Sequence, residues 1–371
     1  MTTPHRFGIG LRALALTLAL LGWALPAAAE LRITDVTERE VRLPEAAQAV
    51  ILGDARHIMV LGMLLDDPVA RVVGWRQDKG LDPARRAAFA ARFPALEEIA
   101  PVGAGNRELS VEATIAQAPD LVILSLTDAR NPTMEVQLLQ LEAAGIPVVF
   151  VDFFSHPIEN TTRSLEILGQ ALGAEDRAAD LIAFYTERLD TVRGRLAEAQ
   201  PDAPRVFVQV HAAPGTCCAT VGGGVFHDFI EAAGGHNLGQ DAVPGIMGNV
   251  GLENVIAADP DVFLATGGAH MRERGGLVLG AGVAQDEARA GLEALLSGAG
   301  IADLRAVELG QAHAFWHLFN DSPMHIALIE YLAQTFHPEL FADLDPQATV
   351  AEMQARFSPI DVDGTWWLAA E

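Results

Sequence analysis

Two stretches of this chain, 141 residues apart, carry the same pattern. Residues 110–124 read SVEATIAQAPDLVIL and residues 251–265 read GLENVIAADPDVFLA, so that Glu112 matches Glu253, Ile115 matches Ile256, Ala116 matches Ala257, Pro119 matches Pro260 and Asp120 matches Asp261. Each stretch reads as a short helix, a Pro-Asp corner and a buried strand. Solenoids repeat every ~20–50 residues. One large offset instead predicts two lobes of like construction.

Between the copies lies Glu159–Gln200, where Leu165, Leu168, Leu172, Leu181, Phe184, Leu189, Val192 and Leu196 recur at the spacing of one helical face. The pattern predicts helix in two segments, broken near Gly173. About 26 helical residues from Ala174 to Ala199 span roughly 39 Å at the usual rise, which suits a stiff spine better than a loose linker.

Strand and helix signals alternate on both sides of this spine. LRITDVTEREVRLP, residues 31–44, reads as a hairpin; AVILG and RVVGW read as strands around the helical IMVLGMLL. MEVQLLQLEAAG and IPVVFVDF close the first half. RVFVQV opens the second, followed by the helix VFHDFIEAAGG, the helix DEARAGLEALL, the strand-like AVELGQAHAF, and a helix from Pro323 to about Phe336 capped by Ser322. Trp366 and Trp367 read as packing. The predicted fold class is α/β: two Rossmann-like lobes joined by a long helix, with the ligand cleft between them at the C-terminal ends of the strands. The divisions are 1–29, 30–157, 158–200 and 201–371.

Residues 1–29 have Arg6 and Arg12, an apolar run from Leu11 to Leu25, and Ala27-Ala28-Ala29 before Glu30, which together read as a cleavable export signal. No cysteine lies near that site, so a soluble periplasmic protein without a lipid anchor is expected. The formal charge of −24 argues against nucleic acid or anionic lipid as partners and favours a solvated, monomeric surface. The two cysteines, Cys217 and Cys218, are adjacent. They read as ordinary loop or core cysteines, with a strained, redox-sensitive bridge as the sharper alternative.

The paired Glu-x7-Asp corners, the intervening AGIPVVFVD, the spine, and FIEAAGGHNLG, HAFWHLFNDSP and FHPELF together resemble the substrate-binding proteins of ABC importers. The likeness is to the class whose lobes share one long helix and which captures ferric siderophores, haem or cobalamin. It implies no catalysis, no permanently bound cofactor or metal, a ferric-siderophore-like complex as ligand, and an inner-membrane permease dimer as partner. By position in the repeat, Glu112 and Glu253 are the implied docking carboxylates; the plainer reading is that each complements a helix dipole.

Oxygen-rich, often anionic iron chelates want guanidinium forks and aromatic faces. Loops after strands offer Trp75 and Arg76 in GWRQDKG, Arg130 in SLTDARNP, and Arg272 and Arg274 in GGAHMRERGG; Arg107, His211, Trp316 and His317 complete the candidates. The alternative for any one arginine is a solvated surface charge, and for Trp316 and His317 a place in the core. Tyr185 and Tyr331 are poorly placed to ligate haem. Cobalamin or haem is the alternative ligand. A secreted metal-dependent enzyme on the same scaffold is the alternative class, though the chain has no Gly-x-Ser-x-Gly, His-Glu-x-x-His or paired-Cys zinc motif.

Overall fold

The computed structural model describes residues 1–3, 30–103, 108–320 and 322–370; most of the expected export segment, and Arg107, lie outside them. The first sheet contains β1 (Val50–Leu52), β2 (Val72–Trp75), β3 (Ala100–Pro101), β4 (Leu121–Ser125) and β5 (Val148–Val151). Its order is β3-β2-β1-β4-β5, and every pairing is parallel. The second contains β6 (Arg205–Gln209), β7 (His236–Asn237), β8 (Val262–Gly267), β9 (Ala312–Trp316) and β10 (Trp367–Ala369), in the order β7-β6-β8-β9-β10. Only β10 runs antiparallel there. The fold is α/β and two-lobed, with both sheets built from Val, Ile, Leu and Phe runs buried on both faces, as parallel strands require.

The repeat is structural down to the backbone. Helices α1 (His57–Leu64), α2 (Pro83–Arg92), α3 (Val111–Ala116) and α4 (Met134–Ala143) belong to the first half. Ala118, which follows α3, has φ of 47°, and its counterpart Asp259 has φ of 43°. Both copies thus place an L-residue in the sparsely populated left-handed region to turn the corner. The corner aspartates then tie down the start of the neighbouring strand. Asp120 accepts from the backbone N–H of Gln48 (2.8 Å) and Ala49 (3.0 Å), and Asp261 from that of Arg205 (2.9 Å).

The spine is two helices, α5 (Pro157–Leu172) and α6 (Glu175–Ala199), separated by Gly173 at φ 67°. Gly169 lets them cross closely, because a Cβ there would lie 2.6 Å from that of Ala178. Of the expected apolar face all but Leu196, which is partly buried, are in the core. Arg177 on α6 donates to the Met63 carbonyl in the first lobe (2.8 Å), while Arg188 and Arg195 pair with Glu352 (2.6 Å) and Asp343 (2.5 Å) in the second. One stiff element is thereby anchored in both lobes.

Further helices are α7 (Val225–Ala232), α8 (Leu252–Ala258), α9 (Arg305–Glu308) and α10 (His325–Phe336). Two expectations are corrected. Residues 306–315 are not one strand: a helical turn ends at Gly310, φ 69°, before β9 begins. The last expected helix starts at His325 rather than Pro323, although Ser322 Oγ still accepts from the Met324 N–H at 3.1 Å. The 31–44 hairpin pairs Leu31–Thr34 with Glu40–Leu43. Trp366 is buried and Trp367 stacks on Tyr331 with ring centroids 5.0 Å apart, as packing residues do. Cys217 and Cys218 are bonded to each other, the alternative reading of that pair. Among the described residues no helix is long and apolar enough to cross a membrane.

Candidate functional site

In open α/β sheets ligands bind beyond the carboxyl ends of the strands, at the point where strand order reverses. That point lies between β1 and β4 in the first sheet and between β6 and β8 in the second. The residues leaving β1 and β2 are Asp54, Arg56, Arg76 and Lys79; those leaving β6, β8 and β9 are His211, His270 and His317. The site therefore has an ionic half and a histidine half.

On the ionic half Asp54 is buried and receives Arg56 on both oxygens, Nε to Oδ1 at 3.1 Å and Nη2 to Oδ2 at 2.8 Å, with the Lys79 Nζ at 3.6 Å. Burial alone would raise the Asp54 carboxyl. Arg56, His57 and Lys79 outweigh it and hold the group well below the usual carboxylate range. Beside it Arg76 is clasped by Asp78 (2.7 Å) and by Asp128 (2.9 Å). Asp128 is itself fixed by the turn Leu126–Ala129, where its other oxygen accepts the Ser125 N–H at 3.0 Å.

On the other half three imidazoles converge. His211 Nδ1 and His270 Nε2 lie 2.9 Å apart, so one donates to the other, and the His211 and His317 ring centroids are 3.9 Å apart. Thr266 at the end of β8 is the hub: its Oγ1 accepts the His211 backbone N–H at 3.1 Å and bonds His317 Nδ1 at 2.8 Å. His211 sits at φ 50°, a strained conformation held by that hydrogen bond. Burial, then His270 and Arg274, push the His211 pKa down to about 4; burial and Arg274 lower that of His270, and His317 lies well below the ordinary histidine value. All three rings are neutral at neutral pH. The halves meet where Arg56 Nη1 donates to Asn320 Oδ1 at 3.3 Å.

These buried neutral histidines give a pH dependence with a definite sign. His211 and His313 are pushed down to about 4 and His325 to about 3, each chiefly by burial, against 6.5 when exposed. Below 6.5 the unfolded chain takes up protons the folded chain refuses, so stability present above that pH falls progressively toward pH 4. The melting temperature is expected to drop by roughly 10 °C between pH 7 and pH 4.5. A flat profile by differential scanning fluorimetry would contradict this.

A family model described as periplasmic binding protein matches residues 80–312. The chain belongs to that family. No curated protein matches it. Among solved structures, the TroA-like periplasmic binding protein FepB of Veillonella parvula shares 27% identity over 92% of this chain and 99% of its own, with a TM-score of 0.81. A periplasmic heme binding protein of Pseudomonas aeruginosa is 23% identical over 79% of this chain and 94% of its own, TM-score 0.52. Helicobacter pylori CeuE, crystallised as a nickel–histidine complex, is 19% identical over 90% and 96%, TM-score 0.62. The last two speak for the fold alone. As a member of this family the chain is a solute-binding protein and not an enzyme.

Within this binding protein the candidates from the sequence separate clearly. His211, His317 and Arg274 come together. Trp75 and Trp316 do not line the cleft: each is 1% exposed. Trp316 is enclosed by Phe319 and Trp366, with the Arg85 guanidinium 4.1 Å from its ring centroid. Arg76 is buried between its two aspartates, Arg272 is spent on Glu287 at 2.7 Å, and Arg130 is exposed. Tyr185 and Tyr331 are engaged with His325 (2.8 Å) and His313 (2.9 Å). Sequence reading missed Asp54, Arg56, Thr266, His270 and Asn320. For His270 the signal was present, in a glycine-flanked loop after a strand, but the neighbouring arginines were preferred.

Proposed function

We propose that this protein captures a ferric siderophore or similar iron complex in the cleft between its lobes and delivers it, as an exported monomer, to an ABC permease dimer. The observation that carries the reading is the convergence of three neutral imidazoles at the strand-order reversal of one lobe, opposite Arg56 and Lys79 of the other. Neutral rings present lone pairs and N–H groups without a charge to desolvate. The Lys79 ammonium offers a charge-assisted donor to catecholate, hydroxamate or carboxylate oxygens, while Arg56, buried on Asp54 and Asn320, holds the frame around it. The family works with ABC permeases, and FepB of Veillonella parvula, the relative at 27% identity, is of the same TroA-like kind. Because α6 is anchored in both lobes, capture involves a small closure rather than a wide hinge. Solution scattering should show little change in radius of gyration on binding; a large change would contradict it.

The repeated glutamates supply the transport test. Glu112 and Glu253 are exposed and, among the described residues, neither carboxylate has an ionic partner. With Glu112→Ala or Glu253→Ala, ligand affinity is expected to stay at wild-type strength while uptake of radiolabelled ferric chelate falls at least several-fold. Unchanged uptake with both glutamates replaced would contradict delivery through these carboxylates. The same imidazoles suit the iron of haem, so haem belongs in every binding panel.

A further inference from the structure

The described residues expose six large apolar side chains besides Met1, each between 41% and 62% accessible: Ile115, Val136, Leu139, Met247, Ile256 and Leu309. They divide equally between the lobes, and two of them, Ile115 and Ile256, are the same position of the 141-residue repeat. Single exposed apolar residues need no explanation. The same exposure in both copies, on an acidic surface, does.

The backbone makes the arrangement regular. In α3 and α8 the residues that face the core are Thr114 and Val255, again repeat partners. This leaves the glutamate and the isoleucine three residues on, Glu112 with Ile115 and Glu253 with Ile256, on one outward face. Around them each lobe adds apolar surface. Helix α4, which carries Val136 and Leu139 one turn apart, packs against α3, and Gln137 Nε2 fixes it to the Leu109 carbonyl at 3.3 Å. In the second lobe Arg305 opens α9 by pairing with Asp259 (3.2 Å) and Asp261 (2.6 Å) at the corner after α8, and Leu309 follows that turn.

On the transport reading above, we propose that the permease contacts each lobe through a carboxylate and an isoleucine together, with Ile115 and Ile256 forming the buried centre of two matched contacts and the glutamates steering and orienting them. Binding strength at such surfaces is concentrated in desolvated apolar anchors, while rim charges act mainly on encounter. The partner that fits is a two-fold membrane protein presenting, at two equivalent places, a basic side chain beside apolar surface. Two unpartnered carboxylates ask for the base. Two isoleucines, repeated at one offset, ask for the apolar neighbour and the symmetry.

The test is carried out in cells bearing the native importer, with the full-length protein. A photo-crosslinking residue at Ile115 or at Ile256 should join the same polytopic permease, and one at the exposed Asp190 of α6 should not. Ile115→Ser with Ile256→Ser should raise the protein concentration that half-saturates uptake roughly tenfold, each lost apolar contact contributing a few-fold, with melting temperature and ferric-chelate affinity unchanged. If the double serine variant transports like wild type while the glutamate variants fail, the apolar contact is wrong and the transport reading stands. If neither pair matters, docking lies elsewhere on the surface and the proposal falls, whereas absence of ferric-chelate uptake with the wild-type protein would overturn the transport reading itself. Crosslinks to a second copy of this chain or to a soluble protein would overturn the proposal in favour of that partner.

Discussion

Asp54→Ala is expected to lower the free energy of unfolding by about 3–5 kcal/mol, because it strands a buried guanidinium rather than merely deleting a contact. Asp54 accepts two hydrogen bonds from Arg56 and lies 3.6 Å from the Lys79 ammonium. Arg56 is 7% exposed, so water does not substitute for the lost carboxylate. The consequence extends beyond one lobe, since the same guanidinium reaches Asn320 across the cleft. Urea denaturation of the mature protein measures the effect. A loss under about 1 kcal/mol would mean that the pair is solvated like an ordinary surface bridge.

The largest effect on binding is expected from the histidine half. His211→Asn combined with His270→Ala should weaken binding of the iron complex about 30-fold or more, the scale of removing a central binding residue, with the far-ultraviolet circular dichroism unchanged. Asparagine is chosen at 211 because that position has φ of 50° and Asn tolerates the left-handed region. The loss is then not one of backbone strain. His317→Ala is a poorer probe, since His317 is buried against Phe226 and bonded to Thr266. Undiminished affinity in the His211/His270 variant would move the ligand away from the strand-order reversal of the second lobe.

The two-lobed fold was legible because its signals are periodic. The 141-residue offset announced two like halves, and the leucine and phenylalanine spacing announced the spine. In the structure the offset extends to matching left-handed corners at Ala118 and Asp259 and matching strand ties from Asp120 and Asp261. The site was only half legible. A tryptophan that ends a strand reads the same whether its ring turns outward or inward; Trp316 turns inward because Phe319, Trp366 and Arg85, distant in sequence, close over it. Arginine in a loop likewise does not reveal its partner: Arg76 looked available until Asp78 and Asp128 were placed beside it. Asp54 and Arg56 lay in a stretch, GDARH, with no motif to mark it. Side-chain pairs made across lobes are long-range facts, and no local pattern encodes them.

The central claim, capture of an iron complex, is tested most directly by calorimetric titration of the purified mature protein with ferric catecholate, hydroxamate and carboxylate siderophores beside haem, cobalamin and zinc. Calorimetry is preferred to tryptophan quenching because Trp75 and Trp316 are buried away from the cleft. The account predicts saturable, sub-micromolar binding of one ferric complex, lost in the His211→Asn, His270→Ala variant. Saturation by cobalamin or free zinc alone, with every ferric complex silent, would contradict it.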